Sequence, residues 1–291
     1  MGVWQRIAEG WGRLAARFFP RLTGRDRRDD AIAAALYRKA AERGNAAAAR
    51  RLALMYNEGR SVKQDYAKAA KWFRRAAKGV DVDAQFHLGL MHAEGLGVGQ
   101  DYAKAAEYFR RAAEQGDAYS QCNLGLMYEK GRGVKQSHAK AVEWYRRAAE
   151  RGDALAQFNL GGMYYRGDAV EQDCAEAAKW YRMAADQGNA AAQYNLGVLY
   201  HGGDGVEQDY EKAEDLYRKA AEQGNVNAQF NLGRMYEAGE GVERDTEEAV
   251  KWYRRAAEQG DADAQARLDA MDSDDKGLER THENPEVPTM E

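Results

Sequence analysis

Cysteine and proline are scarce in this chain, with two of the first and three of the second among 291 residues. Two thiols cannot build the multi-bridge framework of a small secreted domain. Cys122 and Cys174 also fall in unrelated slots of the pattern described below, so free thiols in a reducing, cytoplasmic compartment are expected. The prolines are Pro20, Pro285 and Pro288, which leaves everything between them clear of the residue that most disrupts helices. No window approaches the roughly 18 apolar residues of a membrane span, and no strand-like alternation of any length appears. A secretory signal needs an apolar core of about 7 to 15 residues, and Arg6, Glu9 and Arg13 interrupt the only candidate. A formal net charge of -4 gives no reason to expect nucleic acid.

What the chain has instead is a period. Leu52, Leu88, Leu124, Leu160, Leu196, Leu232 and Leu268 stand 36 residues apart without a slip, and Trp72, Trp144, Trp180 and Trp252 fall on a second ladder in the same frame. Alanine pairs keep the interval from Ala40-Ala41 to Ala256-Ala257. A period of roughly 20 to 50 residues means that each unit buries its apolar face only against its neighbours. Six full units run from about 46 to 261 with a half unit at each end, so the repeat body is expected over residues 29–271.

Each unit reads as two helices. Ala84, Leu88 and Met91 step by four and three along one side of the first helix. Glycine recurs where that helix stops, at Gly59, Gly95, Gly131, Gly167, Gly203 and Gly239, as a left-handed C-terminal cap requires. A loop valine follows (Val62, Val98 and their equivalents), and Asp65, Asp101, Asp173, Asp209 and Asp245 are placed to cap the second helix. The expected fold is all-α.

The unit A-Q-F-N-L-G-x-M-Y-x-x-G-x-G-V-x-x-D-x-x-x-A-x-x-W-Y-R-R-A-A-E-Q-G-D, nearly complete from Ala228 to Asp261, resembles the Sel-1-like repeat, a relative of the tetratricopeptide repeat. The resemblance implies a right-handed α-solenoid of antiparallel helix pairs that serves as a non-catalytic scaffold or adaptor for other proteins. It also admits a secretion-system immunity or envelope-associated regulatory protein that binds and blocks one specific protein. Departures are local: Val80 stands where other units have glycine, Ser61 and Ala169 replace the second loop glycine, and Leu216 replaces the Trp. The turn at Val80 is expected to be distorted.

Both ends differ from the body. In residues 1–28 seven arginines face Glu9 and Asp26, and Val3, Ile7, Trp11, Leu14 and Phe18 mark one side of a basic amphipathic helix. Three uses are open to it: a cap on the first repeat, a membrane-surface or partner contact through residues 1–19, or a flexible tail. Residues 272–291 hold seven acids against Lys276 and Arg280 and read as a disordered tail.

Catalytic signals dissolve into the repeat. Ser137-His138-Ala139-Lys140 matches the S-x-x-K of penicillin-recognising enzymes, but it occupies the frame of Asp101-Tyr102-Ala103-Lys104, with Ser as a helix cap, and S-D-N and K-T-G are missing. Gly95 to Gly99 is a loop between helices rather than a phosphate cradle after a strand. His87 and His92 point to different faces, with no acid or cysteine at ligand spacing. Neither enzyme activity, a cofactor nor a metal is expected.

The groove remains. By resemblance to tetratricopeptide packing, positions two, five, nine and twelve of each first helix face a concave side. Aromatics recur at position five (Phe86, Phe158, Tyr194, Phe230), where they either pack between helices or meet a partner. Position nine varies, with Leu90, Leu126, Val198 and Arg234, and bulky side chains appear in slots that are small or polar elsewhere: Tyr119, Leu155, Tyr165 and His201. These twelve residues are the candidate contact stripe for another protein or peptide. Asn123, Asn159, Asn195 and Asn231 beside them either bond a peptide backbone or tie adjacent helices together.

Overall fold

The computed structural model describes residues 26–78 and 80–282, and within them there are fourteen helices and no strand. Two compact units divide the chain, Met1–Arg151 and Gly152–Glu291. The first holds α1 (Asp26–Glu42), α2 (Ala46–Glu58), α3 (Tyr66–Ala77), α4 (Val82–Glu94), α5 (Tyr102–Glu114), α6 (Ala118–Lys130) and α7 (His138–Glu150). The second holds α8 (Ala154–Arg166), α9 (Cys174–Asp186), α10 (Ala190–Gly202), α11 (Tyr210–Glu222), α12 (Val226–Ala238), α13 (Thr246–Ala257) and α14 (Ala262–His282). Helices α2 to α13 form six hairpins, with α1 a lone second-type helix and α14 a lone first-type helix. The fold is an all-α array of helical hairpins of the solenoid class. The amphipathic stretch 1–19 and residues 283–291 lie outside the described residues. Helix α14 runs past Met271 to His282, so residues 272–282 of the expected tail are helical, and no proline precedes Pro285 to stop them.

Caps set the boundaries. Asp65, Asp101, Asp173, Asp209 and Asp245 each accept a hydrogen bond from the backbone N–H three residues on. Ser137 does the same for Lys140 at 3.3 Å. The first helices use a second cap column, which includes Asp81, Asp117, Asp153, Asn189 and Asn225. Each stopping glycine is left-handed, as at Gly95 with φ 75°, and its N–H reaches the carbonyl four residues back. The three non-glycine residues with positive φ among the described residues are Ser61 (60°), Val80 (66°) and Ala169 (61°), all at glycine slots of the repeat. Each holds a conformation that costs a side chain on the order of 1 kcal/mol.

The core is a column per repeat position. Leu52, Leu88, Leu124, Leu160 and Leu232 are wholly buried, and the alanine pairs beside them let the helices approach. Loops also close on the preceding hairpin: a Cβ on Gly133 would lie 2.1 Å from the Tyr102 carbonyl oxygen, so a side chain has no room there. On α1, Ile32 and Leu36 stay exposed, although Leu36 stands in the Trp72 column.

Two recurring relays engage buried polar side chains in most of the repeats. Gln115 donates to Gln85 at 2.8 Å, Gln187 to Gln157 at 2.8 Å, Gln223 to Gln193 at 2.7 Å and Gln259 to Gln229 at 2.8 Å. Gln193 and Gln229 donate onward to the carbonyls of Ala185 and Ala221. The equivalent donor for Gln121 would be residue 151, which is Arg, and the buried Gln121 Oε1 has no partner among the described residues. In the second relay Asn195 faces the Tyr181 hydroxyl and Asn231 that of Tyr217, each close enough to act on its ionisation. Asn123 faces the same slot, where Phe109 has no hydroxyl, and its Oδ1 is likewise unpartnered.

Two predictions follow from these gaps in the pattern. Arg151→Gln and Phe109→Tyr each restore the partner found in the other repeats, and each should raise stability in chemical denaturation by about 1 kcal/mol. Unchanged midpoints would mean that these acceptors are already satisfied by water. His87 takes the Asn slot over Phe73, stacked at 4.7 Å, and burial with the added charge of Arg50 pushes it down to about 4 from 6.5. Below 6.5 the unfolded chain binds a proton that the folded chain refuses, so this stability is present above 6.5 and is lost as pH falls towards about 4. His87→Asn should therefore melt with less dependence on pH between about 7 and about 5 than the wild type. Equal slopes would remove His87 as the source.

Candidate partner-binding face

Four of the twelve stripe residues lie in the first unit and eight in the second, and they differ in exposure. In the first unit Phe86 is 6% exposed and Leu126 is 9% exposed, so packing takes most of both. Phe86 lies 6.0 Å from Phe109 on one side and 6.2 Å from Tyr119 on the other. Tyr119 is exposed and Leu90 is half-buried, which leaves these two as the open part of the stripe in that unit.

The second unit keeps more of it. Phe158 lies 5.9 Å from Tyr181, Tyr194 lies 5.9 Å from Tyr217, and Phe230 lies 5.6 Å from Tyr253, each ring tilted on the aromatic of its own second helix. Helix α8 presents Phe158, α10 presents Tyr194 and α12 presents Phe230. All three stay half-buried, as do Leu155 and Val198, so each side chain keeps part of its surface accessible. Tyr165 is 39% exposed and lies close enough to Tyr181 and Tyr194 to act on their ionisation. Gly162 occupies position nine of α8, where α4 and α6 carry Leu90 and Leu126. A Cβ there would meet the Arg166 guanidinium at 3.0 Å and the Tyr181 hydroxyl at 3.6 Å.

The polar members are arranged around these rings. His201 Nε2 lies 2.9 Å from Glu240, and its ring meets Tyr210 edge-on at 5.1 Å. Arg234 is exposed. Burial raises the hydroxyls of Tyr181, Tyr194 and Tyr217 above their ordinary range, so they remain protonated donors at neutral pH. Asn195 and Asn231 face the Tyr181 and Tyr217 hydroxyls on the preceding second helix, and Asn123 donates to the Tyr119 carbonyl of its own helix at 2.8 Å.

The residues that looked chemically active in the sequence are held in structural roles. Ser137 caps α7, and the Lys140 ammonium sits 5.2 Å from the Tyr128 ring. Gly97 lies against the start of α3, where a Cβ would fall 2.2 Å from the Tyr66 carbonyl carbon. Cys122 is buried and Cys174 half-buried, and neither is in a disulfide. No group of three or more His, Cys, Asp or Glu able to hold a metal occurs among the described residues. No helix among them is long and apolar enough to cross a membrane. Sequence reasoning missed the glutamine relay, although its signal is present as Gln85, Gln121, Gln157, Gln193 and Gln229 at the repeat interval.

Known proteins carry the same unit. The Sel1 repeat profile matches residues 13–45, 46–81, 82–117, 118–153, 154–189, 190–225 and 226–261. Among solved structures, the chain is similar to c5321, a protective antigen present in uropathogenic Escherichia coli strains displaying an SLR fold. The two are 43% identical over 80% of this chain and 50% of that one, with a TM-score of 0.77. The chain therefore spans half the length of that relative. A Sel1 repeat protein from Oxalobacter formigenes is 41% identical over 74% of this chain and 89% of its own, with a TM-score of 0.68. Immunity protein Pa5087 from Pseudomonas aeruginosa is 22% identical over 73% of this chain and 81% of its own, with a TM-score of 0.44, too distant to bear on the role of this one. No curated protein matches. With seven matched copies in unbroken succession, the chain belongs to the Sel1 repeat family.

Proposed function

We propose that this chain is a non-catalytic adaptor that binds a segment of another protein on the first-helix face of its second unit. One observation carries the reading: Phe158, Tyr165 and Tyr194 bring aromatic surface together on adjacent first helices, with Tyr165 exposed at a slot that the repeat fills elsewhere with Asn, Ala, Glu or His. Rigid aromatic rings with one face supported and the other open are the side chains that contribute most to protein interfaces. The family supports the same reading, since Sel1 repeat proteins generally act through protein contacts. The absence of enzymatic activity is part of the proposal and is supported by the capping role of Ser137 and the engagement of Lys140 with Tyr128.

The row is testable through one surface change and one double change. Tyr165→Ala removes an exposed side chain and should weaken partner capture about tenfold with the melting temperature unchanged. Phe158→Ala with Tyr194→Ala should weaken it further, and the loss of two ring contacts should lower the melting temperature by several degrees while far-UV helicity stays intact. Partners are read by affinity purification and mass spectrometry with each variant beside the wild type. A partner captured equally by all three places its contact elsewhere and overturns the proposal.

A further inference from the structure

Along the second unit, position nine of the first helix changes from nothing at Gly162, to an apolar side chain at Val198, to a cation at Arg234. Arg234 is exposed, and among the described residues its guanidinium has no ion pair or hydrogen bond. The acids nearest to it on the chain are already engaged. Glu237 accepts from the Tyr253 hydroxyl at 2.5 Å and faces Arg267 at 3.5 Å, while Glu240 holds His201 at 2.9 Å. Arg234 is near enough to Tyr217 and Tyr253, the rings that meet Tyr194 and Phe230, for its charge to act on both hydroxyls. An unpaired guanidinium at the end of an apolar strip is a ready receptor for a carboxylate, because a bidentate Arg–carboxylate pair adds both geometry and energy.

Resting on the reading of this face as a partner site, we infer that the bound segment carries a carboxylate received by Arg234 beside an apolar side chain seated against the half-buried Tyr194 and Val198. Charge complementarity selects this occupant: a basic segment would meet Arg234 with like charge, and a wholly apolar one would leave the guanidinium covered without a partner.

The test pans a random phage-displayed peptide library on the immobilised full-length chain. Enriched peptides are expected to pair a large apolar residue with Asp or Glu. Arg234→Glu should abolish the acidic preference and weaken a selected peptide at least tenfold, and Arg234→Lys should retain part of the affinity. Enriched peptides that need Phe158 and Tyr194 but show no acidic preference, or whose preference survives Arg234→Glu, overturn this inference and leave the binding face standing. Enrichment indifferent to Phe158→Ala with Tyr194→Ala overturns both. A dimer that Arg234→Glu dissolves makes a second copy the occupant. A failure to enrich any peptide, with residues 272–291 released to protease by Arg234→Glu, makes the chain's own acidic end the occupant. Either result also overturns the inference.

Discussion

In five of the six hairpins a glycine on the first helix faces an aromatic ring on the second so closely that a methyl group would not fit. A Cβ on Gly197 would lie 2.8 Å from the Tyr217 ring, and Gly89, Gly125, Gly161 and Gly233 meet Phe109, Tyr145, Tyr181 and Tyr253 in the same way. The hairpin α2/α3 carries Ala53 and Phe73 in these slots, both wholly buried. This contact sets how near the two helices of a hairpin come, and a few tenths of an ångström matter in an interior packed to the density of an organic crystal. With the ring pressed against the first helix, the hydroxyls of Tyr145 and Tyr253 donate to Glu129 and Glu237 of their own hairpins, whereas those of Tyr181 and Tyr217 face the next hairpin's asparagine. The pairs Tyr181 with Asn195 and Tyr217 with Asn231 follow from that placement.

The same ring is also the floor for position five. Phe158, Tyr194 and Phe230 lie on Tyr181, Tyr217 and Tyr253 and stay half-buried. Position five therefore has a packing task of its own, and the recurrence of an aromatic there does not by itself mark a contact site. The distinction comes from positions that the hairpin does not need. Positions nine and twelve of the first helix neither stop the helix nor fill the glycine contact, and they hold Gly162, Tyr165, Val198, His201 and Arg234 in succession.

Nearly all of the fold was legible because each structural demand falls on a fixed residue type at a fixed interval. Left-handed caps need glycine, second-helix starts need Asp or Ser, and the core needs Leu and paired Ala, so a 36-residue ladder exposes all of them. Even the exceptions were readable, since Ser61, Val80 and Ala169 are both the missing glycines and the positive-φ residues. The site was less legible. Exposure depends on which neighbour covers a side chain, and Phe86 and Leu126 share the slots of Phe158 and Val198 yet are buried. Tyr119 accounts for part of this difference, because its ring lies against Phe86 and covers it. Sequence spacing says which side chains face one way, but not which of them a neighbour will cover.

The distribution of polar groups argues the functional class from the other direction. Catalysis needs a nucleophile or base held unpaired at a reacting position, with its ionisation tuned by its surroundings. Here the buried polar side chains mostly serve the array: glutamines relay to backbone carbonyls, asparagines hold phenols, and Asp or Ser side chains close helix ends. The strongest upward shifts fall on Tyr217 and Tyr253, which burial holds protonated and which thereby lose value as bases. His87 is driven neutral beneath a ring stack, with Phe73 against its face. On the first-helix face of the second unit, half-buried rings beside the exposed Arg234 guanidinium form the surface on which the proposed adaptor role rests.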